Sequence, residues 1–160
     1  MNGSQAERAL ISNWYIVQWG GVRTNHKKTL EYYAIANPTL LLSLKEKGIA
    51  SWSKSISVVE PDRYAIFDAR VSSAINSLQI IYEVDNPKMF PILPSRNGVI
   101  KIANERLKKL HWQKQDKKIF YQSYNNMLID IVANLGGKVT LQMAEMVLFS
   151  RAEILANQWP

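Results

Sequence analysis

Apolar residues recur at intervals of three and four along nearly the whole chain, and no stretch alternates apolar with polar residues for a useful strand length. That periodicity confines the chain to packed helices. Ala6, Leu10, Trp14 and Val17 mark a first helix, ended by Gly20 and Gly21 because glycine readily takes the left-handed conformation that closes a helix. A second runs from near Asn25 through Leu30, Tyr33 and Ala34. It stops before Pro38, since proline disfavours helix in the residue ahead of it. Residues 39–47 form a short helix capped by Thr39 and closed by Gly48, and Ile49, Trp52, Ile56 and Val59 predict another over 49–59.

Asp68 then opens a strongly amphipathic helix whose buried face carries Val71, Ala74, Ile75, Leu78, Ile81 and Tyr82. Pro87, Pro91 and Pro94 punctuate a loop over 85–97, with a turn at Ser95, Arg96, Asn97 and Gly98. Beyond it, Ile100, Ala103, Leu107 and Leu110 mark one helix. Phe120, Tyr124, Met127, Leu128, Ile131 and Leu135 mark a longer one, closed by Gly136 and Gly137, with Asn125 and Asn126 on its surface side. Thr140 caps a terminal helix with Leu141, Ala144, Val147, Leu148, Ala152 and Leu155 on a wide apolar face. The expected fold class is all-α, a single compact domain of seven or eight helices over residues 1–160.

Composition limits what such a domain does. At 160 residues and 47% apolar, with five Trp, seven Tyr and four Phe, the chain is long and apolar enough for a packed core. No cysteine is present, which excludes disulfides, thiolate nucleophiles and cysteine zinc sites. His26 and His111 lie far apart in sequence and share no helix face, so neither a metal nor another cofactor is expected. No apolar run nears the roughly 20 residues that span a bilayer, and residues 1–10 lack a signal-peptide core. The expectation is therefore no membrane and a cytoplasmic protein.

The formal charge is +7, and it is unevenly placed. Residues 101–118 hold Lys101, Arg106, Lys108, Lys109, Lys114, Lys117 and Lys118 against Glu105 and Asp116, which concentrates five of the seven net charges there. A positive face of this kind suits phosphate, and is equally a solvated face of a basic protein. Asp68 and Arg70 in the first turn of their helix are the most chemically suggestive pair. The plainer account is that Asp68 caps the helix, with Arg63 or Arg70 as an ion-pair partner.

One segment resembles a known family. Gly48-Ile49-Ala50-Ser51-Trp52-Ser53-Lys54, followed by Asp68 at a helix entrance, is similar in order and spacing to the hairpin and catalytic aspartate of the helix-hairpin-helix DNA glycosylases. The resemblance covers residues 44–78. Ala50 replaces the second glycine of the family turn, and Glu46-Lys47 stand where Leu-Pro is usual. Trp52 occupies the place of the nucleophilic lysine in the bifunctional branch, which implies hydrolysis without a Schiff base.

What the resemblance implies has a clear physical form. Backbone N–H groups near Gly48 and Ser51 would hold a DNA phosphate, reinforced by Lys45, Lys47 and Lys54. Arg70 with Lys108, Lys109, Lys117 and Lys118 would extend the nucleic-acid contact. Trp19 and Trp52 are candidates for base stacking, and the carboxylate of Asp68 would stabilise positive charge developing on the sugar. Three readings follow. The first is a DNA-binding or DNA-associated protein without catalysis, and the second a monofunctional base-excision glycosylase using Asp68. The third is a protein-interaction module or homodimer with no nucleic-acid role, for which Met143, Met146, Leu148 and Phe149 on the C-terminal helix offer surplus apolar face.

Overall fold

The computed structural model describes residues 4–160. Of these, 61% are helical and strand is confined to two two-residue pieces, so the expected helical class holds. The chain divides into two compact units, one running to Ile66 and the other from Phe67 to Pro160.

The first unit opens with α1 (Gln5–Asn13), started by Ser4, whose hydroxyl accepts from the Glu7 N–H while the Glu7 carboxylate accepts from the Ser4 N–H at 2.6 Å. The Ser4 N–H, with the Ser4 hydroxyl also donating to the same carboxylate oxygen, holds the Glu7 carboxyl below its ordinary range. The helix does not run on to Gly20 in one register. It widens into a π turn, Trp14–Trp19, in which the Gly20 N–H reaches back to the carbonyl of Tyr15. The inward edge is Ser12 and Ile16, four residues apart, with Ser12 hydrogen-bonded to Ser55. The stripe expected to be buried instead faces solvent, with Leu10 72% and Trp14 54% exposed.

Next come α2 (Lys27–Ile35) and α3 (Pro38–Ser43). Asn37 rather than Thr39 caps α3, accepting from the Leu40 N–H at 3.0 Å, because Pro38 takes the first helical position, where a missing N–H costs nothing. The helix stops at Ser43 and a turn leads to Gly48, which starts α4 (Ile49–Val59) instead of closing α3. Gly48 has φ +71°, and a Cβ there would lie 2.2 Å from the Tyr33 hydroxyl, so conformation and space both demand glycine. α4 is the hub of this unit. It packs against α1, the π turn, α2 and α3, and every residue from Ser51 to Ser57 is buried, so those two turns are enclosed on every side.

The second unit holds α5 (Ala69–Ile81), β1 (Lys88–Met89), α6 (Gly98–Leu107), β2 (Gln113–Lys114), α7 (Phe120–Asn134) and α8 (Leu141–Asn157). Side-chain oxygens start three of its helices: Asp68 for α5, Asn97 for α6 and Thr140 for α8. Gly136 and Gly137, at φ +70° and +67°, end α7 as their sequence suggested. α8 packs along α5, α6 and α7. Small residues of both helices, Ala152 and Ala156 of α8 and Ala74 of α5, lie in one core with Ile100, Ala103, Leu107 and Trp159. A second cluster centres on Phe67, which meets Phe120 and Tyr124 edge-on with ring centroids 5.4 and 5.2 Å away.

The loop over 85–97 is more ordered than its prolines imply. β1 lies inside it and pairs in parallel with β2, Lys88 opposite Gln113 and Met89 opposite Lys114. Side chains of α5 then bind this extended stretch as a neighbouring strand would. Asn76 donates to the Phe90 carbonyl at 3.1 Å and accepts from its N–H at 2.9 Å. One turn on, Gln79 does the same to Lys88 at 3.1 and 3.0 Å. No helix among the described residues is long and apolar enough to cross a membrane.

Candidate functional site

The residues that resemble a phosphate-binding hairpin are divided by burial. Lys45, Lys47 and Gly48 are exposed on the turn between α3 and α4. Ser51 and Lys54 are buried, because α4 is enclosed on all sides. Ser51 accepts from the Asn25 amide at 2.8 Å, and the Lys54 ammonium donates to the Ala50 carbonyl, one turn back on its own helix. A Cβ on Gly20 would stand 2.6 Å from Lys54 Cε, so the lysine stem lies against the end of the π turn. Trp52 is fully buried and its indole donates to the Lys47 carbonyl at 3.1 Å, which corrects its candidacy for base stacking. Trp19 keeps 38% of its surface exposed and packs edge-on against Tyr15 at 4.8 Å.

Asp68 stands where the sequence put it, at the start of α5. Its Oδ1 accepts from the N–H groups of Arg70 and Val71 at 2.9 and 3.0 Å. Neither arginine forms the ion pair expected for it. Arg70 pairs with Glu153 and lies over the Phe149 ring, 5.0 Å from its centroid, both on α8. Arg63 pairs with Glu60 at 2.7 Å. Near Asp68 is a buried polar group: Tyr124, Tyr121, Asn125 and Glu145 all lie out of solvent. Burial pushes the Tyr124 phenol well above its ordinary range, and Glu145, Tyr121 and Asp68 add to the rise. Asn125 is not on the surface. Its amide donates to the Tyr121 carbonyl at 2.7 Å, so a polar side chain closes on its own helix within the core.

The basic run behaves as a solvated face. Lys101, Lys108, Lys109, Lys114, Lys117 and Lys118 are exposed, and Lys108 meets Glu105 at 2.7 Å, which holds the Glu105 carboxyl below its ordinary range. Arg106 turns away from them. It donates to the Trp159 carbonyl at 3.0 Å and lies over that indole.

A large concave surface lies elsewhere. α5, α7 and α8 enclose a groove of about 690 Å³, within the usual size of ligand sites. Its floor is Ile75 and Leu78 of α5 with Leu128 of α7, and its walls include Met127, Ile131, Leu135, Met143 and Met146. No charged side chain lines it among the described residues; Gln79, Ser150 and the Tyr82 hydroxyl supply its polarity. Tyr82, expected on the buried face of α5, is 74% exposed here, one residue past the end of the helix where the chain turns away. The surplus apolar face read on the C-terminal helix was the sequence signal for this surface. The contributions of α7 and of Tyr82 gave none, because each reads as ordinary core when its helix is taken alone, and Val84 lies between elements, outside any periodic pattern.

No protein-family model matches the chain, and no curated protein or solved structure gives a significant match.

Proposed function

We propose that this protein is a non-catalytic interaction module whose working surface is the apolar groove between α5, α7 and α8. The observation that carries the reading is the company that surface keeps. A groove of ligand-site size is bordered by Tyr82, Val84, Leu135, Met143 and Val147, all exposed and none charged. Contiguous apolar surface rimmed by polar residues commonly marks a place of interaction. Met127, Met143 and Met146 give the walls flexible, polarisable side chains that adjust to a guest, a property common to surfaces that take apolar helices. The test is titration of submicromolar protein with the uncharged dye N-phenyl-1-naphthylamine. Saturable enhancement that Leu135→Lys abolishes, with far-UV circular dichroism unchanged, supports the groove; enhancement equal in both proteins sinks it.

Contact with DNA is the second reading, favoured by the six exposed lysines between positions 101 and 118. Its measure is affinity for duplex and single-stranded DNA at low and moderate salt, for the protein and for a variant with Lys108, Lys109, Lys117 and Lys118 changed to Gln. A phosphate-binding face loses affinity steeply with salt and the variant's salt slope flattens. Undetectable binding at low salt removes the reading.

A further inference from the structure

The occupant of the groove is the question its chemistry leaves open, and α8 itself supplies an answer. At 100° per residue, Met143, Met146, Val147, Ser150 and Ile154 fall within about 100° of the helix circumference, an outward stripe that continues one turn beyond the groove. Met143, Val147, Ser150 and Ile154 are spaced 4, 3 and 4, the interval at which two helices lie along each other with a continuous seam. The residue near the middle is small. Its hydroxyl already donates to the Val147 carbonyl at 3.1 Å, so burying it strands no polar atom.

Resting on the groove reading, we infer that a second copy of this chain covers this face, α8 against α8 in antiparallel sense about a two-fold axis passing between Val147 and Ser150. Met143 of each copy then faces Ile154 of the other, and Val147 faces Ser150. Such a contact is self-complementary, as a two-fold interface must be. The face is broad: Tyr82, Leu135, Met143 and Val147 each keep more than half of their surface exposed and Met146 and Ile154 at least 40%, on the order of several hundred Å² per copy, the scale of the ~800 Å² per partner in a stable interface. None of the four seam positions is charged, and the exposed Arg151 beside them faces Met146 of the other copy rather than a second Arg151, so the two-fold brings no like charges together.

Sedimentation velocity over a wide concentration range tests the assembly on the full chain. A concentration-dependent dimer is expected, with Val147→Glu raising its Kd by about tenfold or more while far-UV circular dichroism stays the same. Because the chain has no cysteine, geometry can be read by cross-linking. Under mild oxidation, a mixture of Met143→Cys and Ile154→Cys chains should give the mixed dimer in preference to either like dimer. A chain that stays monomeric at the highest concentration, a Val147→Glu variant that associates as the parent does, or cross-linking that favours like dimers overturns the inference. The dye separates the groove from the dimer. A monomer that still takes N-phenyl-1-naphthylamine in a Leu135-dependent way leaves the groove standing without the dimer, and loss of both signals removes both.

Discussion

Ser73 is buried on α5, and its hydroxyl finds no hydrogen-bond partner among the described residues. A hydroxyl held out of water without a partner costs roughly 1–3 kcal/mol, so Ser73→Ala should raise stability, by about 1 kcal/mol in urea unfolding. A lower midpoint would mean that the hydroxyl is satisfied by water. Gly48 is the opposite case. Gly48→Ala must accept both the left-handed conformation, at about 1–2 kcal/mol, and contact with the Tyr33 hydroxyl, so a loss of at least about 2 kcal/mol is expected from the same measurement. Single residues were legible in the sequence where their role is local: Asp68 and Thr140 as caps, Gly136 and Gly137 as a stop. Asn125 was not, because its partner is a carbonyl of its own helix and nothing in its spacing from the apolar stripe announces that it is enclosed. Arg70 was misread for a related reason, its carboxylate lying 83 positions along the chain at Glu153.

At the scale of elements, helix spacing located most of the helices, and α4 has the bounds its four apolar positions predicted. The failures have physical causes. The π turn adds a residue to the turn, which no period of three or four encodes, and Leu10, ahead of it, and Trp14, at its start, face solvent although their spacing suits a buried stripe. β1 and β2 are too short to alternate. What orders the loop around β1 is α5, whose Ser72, Asn76 and Gln79 line up along one face and bind backbone groups of Pro91, Phe90 and Lys88. Asn76→Ala would leave a buried N–H and a buried carbonyl unpaired, with an expected loss of about 2–4 kcal/mol in urea unfolding. Hydrogen exchange at the Phe90 amide should accelerate in parallel. A cost below about 1 kcal/mol would show that the loop holds its path without the amide.

For the whole molecule, two buried tyrosines set an alkaline limit. Burial raises Tyr33, with Tyr32 adding to it, and raises Tyr124 strongly. Each folded-state pKa lies above its unfolded value near 10. The stability this represents is therefore fully present below about pH 10 and is lost as pH climbs toward the folded values. Stability should hold level from neutrality to about pH 10 and then fall by up to about 1.4 kcal/mol per pH unit for Tyr124, a slope that Tyr124→Phe removes. An unchanged slope in the variant would place the titrating group elsewhere. The candidate surface was half legible at this scale, since excess apolar residues on one helix show in sequence whereas a groove between three helices needs their packing. One further consequence lies in the indoles. Trp52 is buried in the first unit with its N–H on the Lys47 carbonyl, and Trp159 is buried in the second with its N–H on Ser77 at 2.8 Å. Each unit thus contains its own optical reporter, a shielded chromophore whose emission moves to the red when its surroundings open. Trp52→Phe and Trp159→Phe silence them in turn, and the emission each variant lacks relative to the parent, over the common background of Trp14, Trp19 and Trp112, follows the melting of one half within the intact chain.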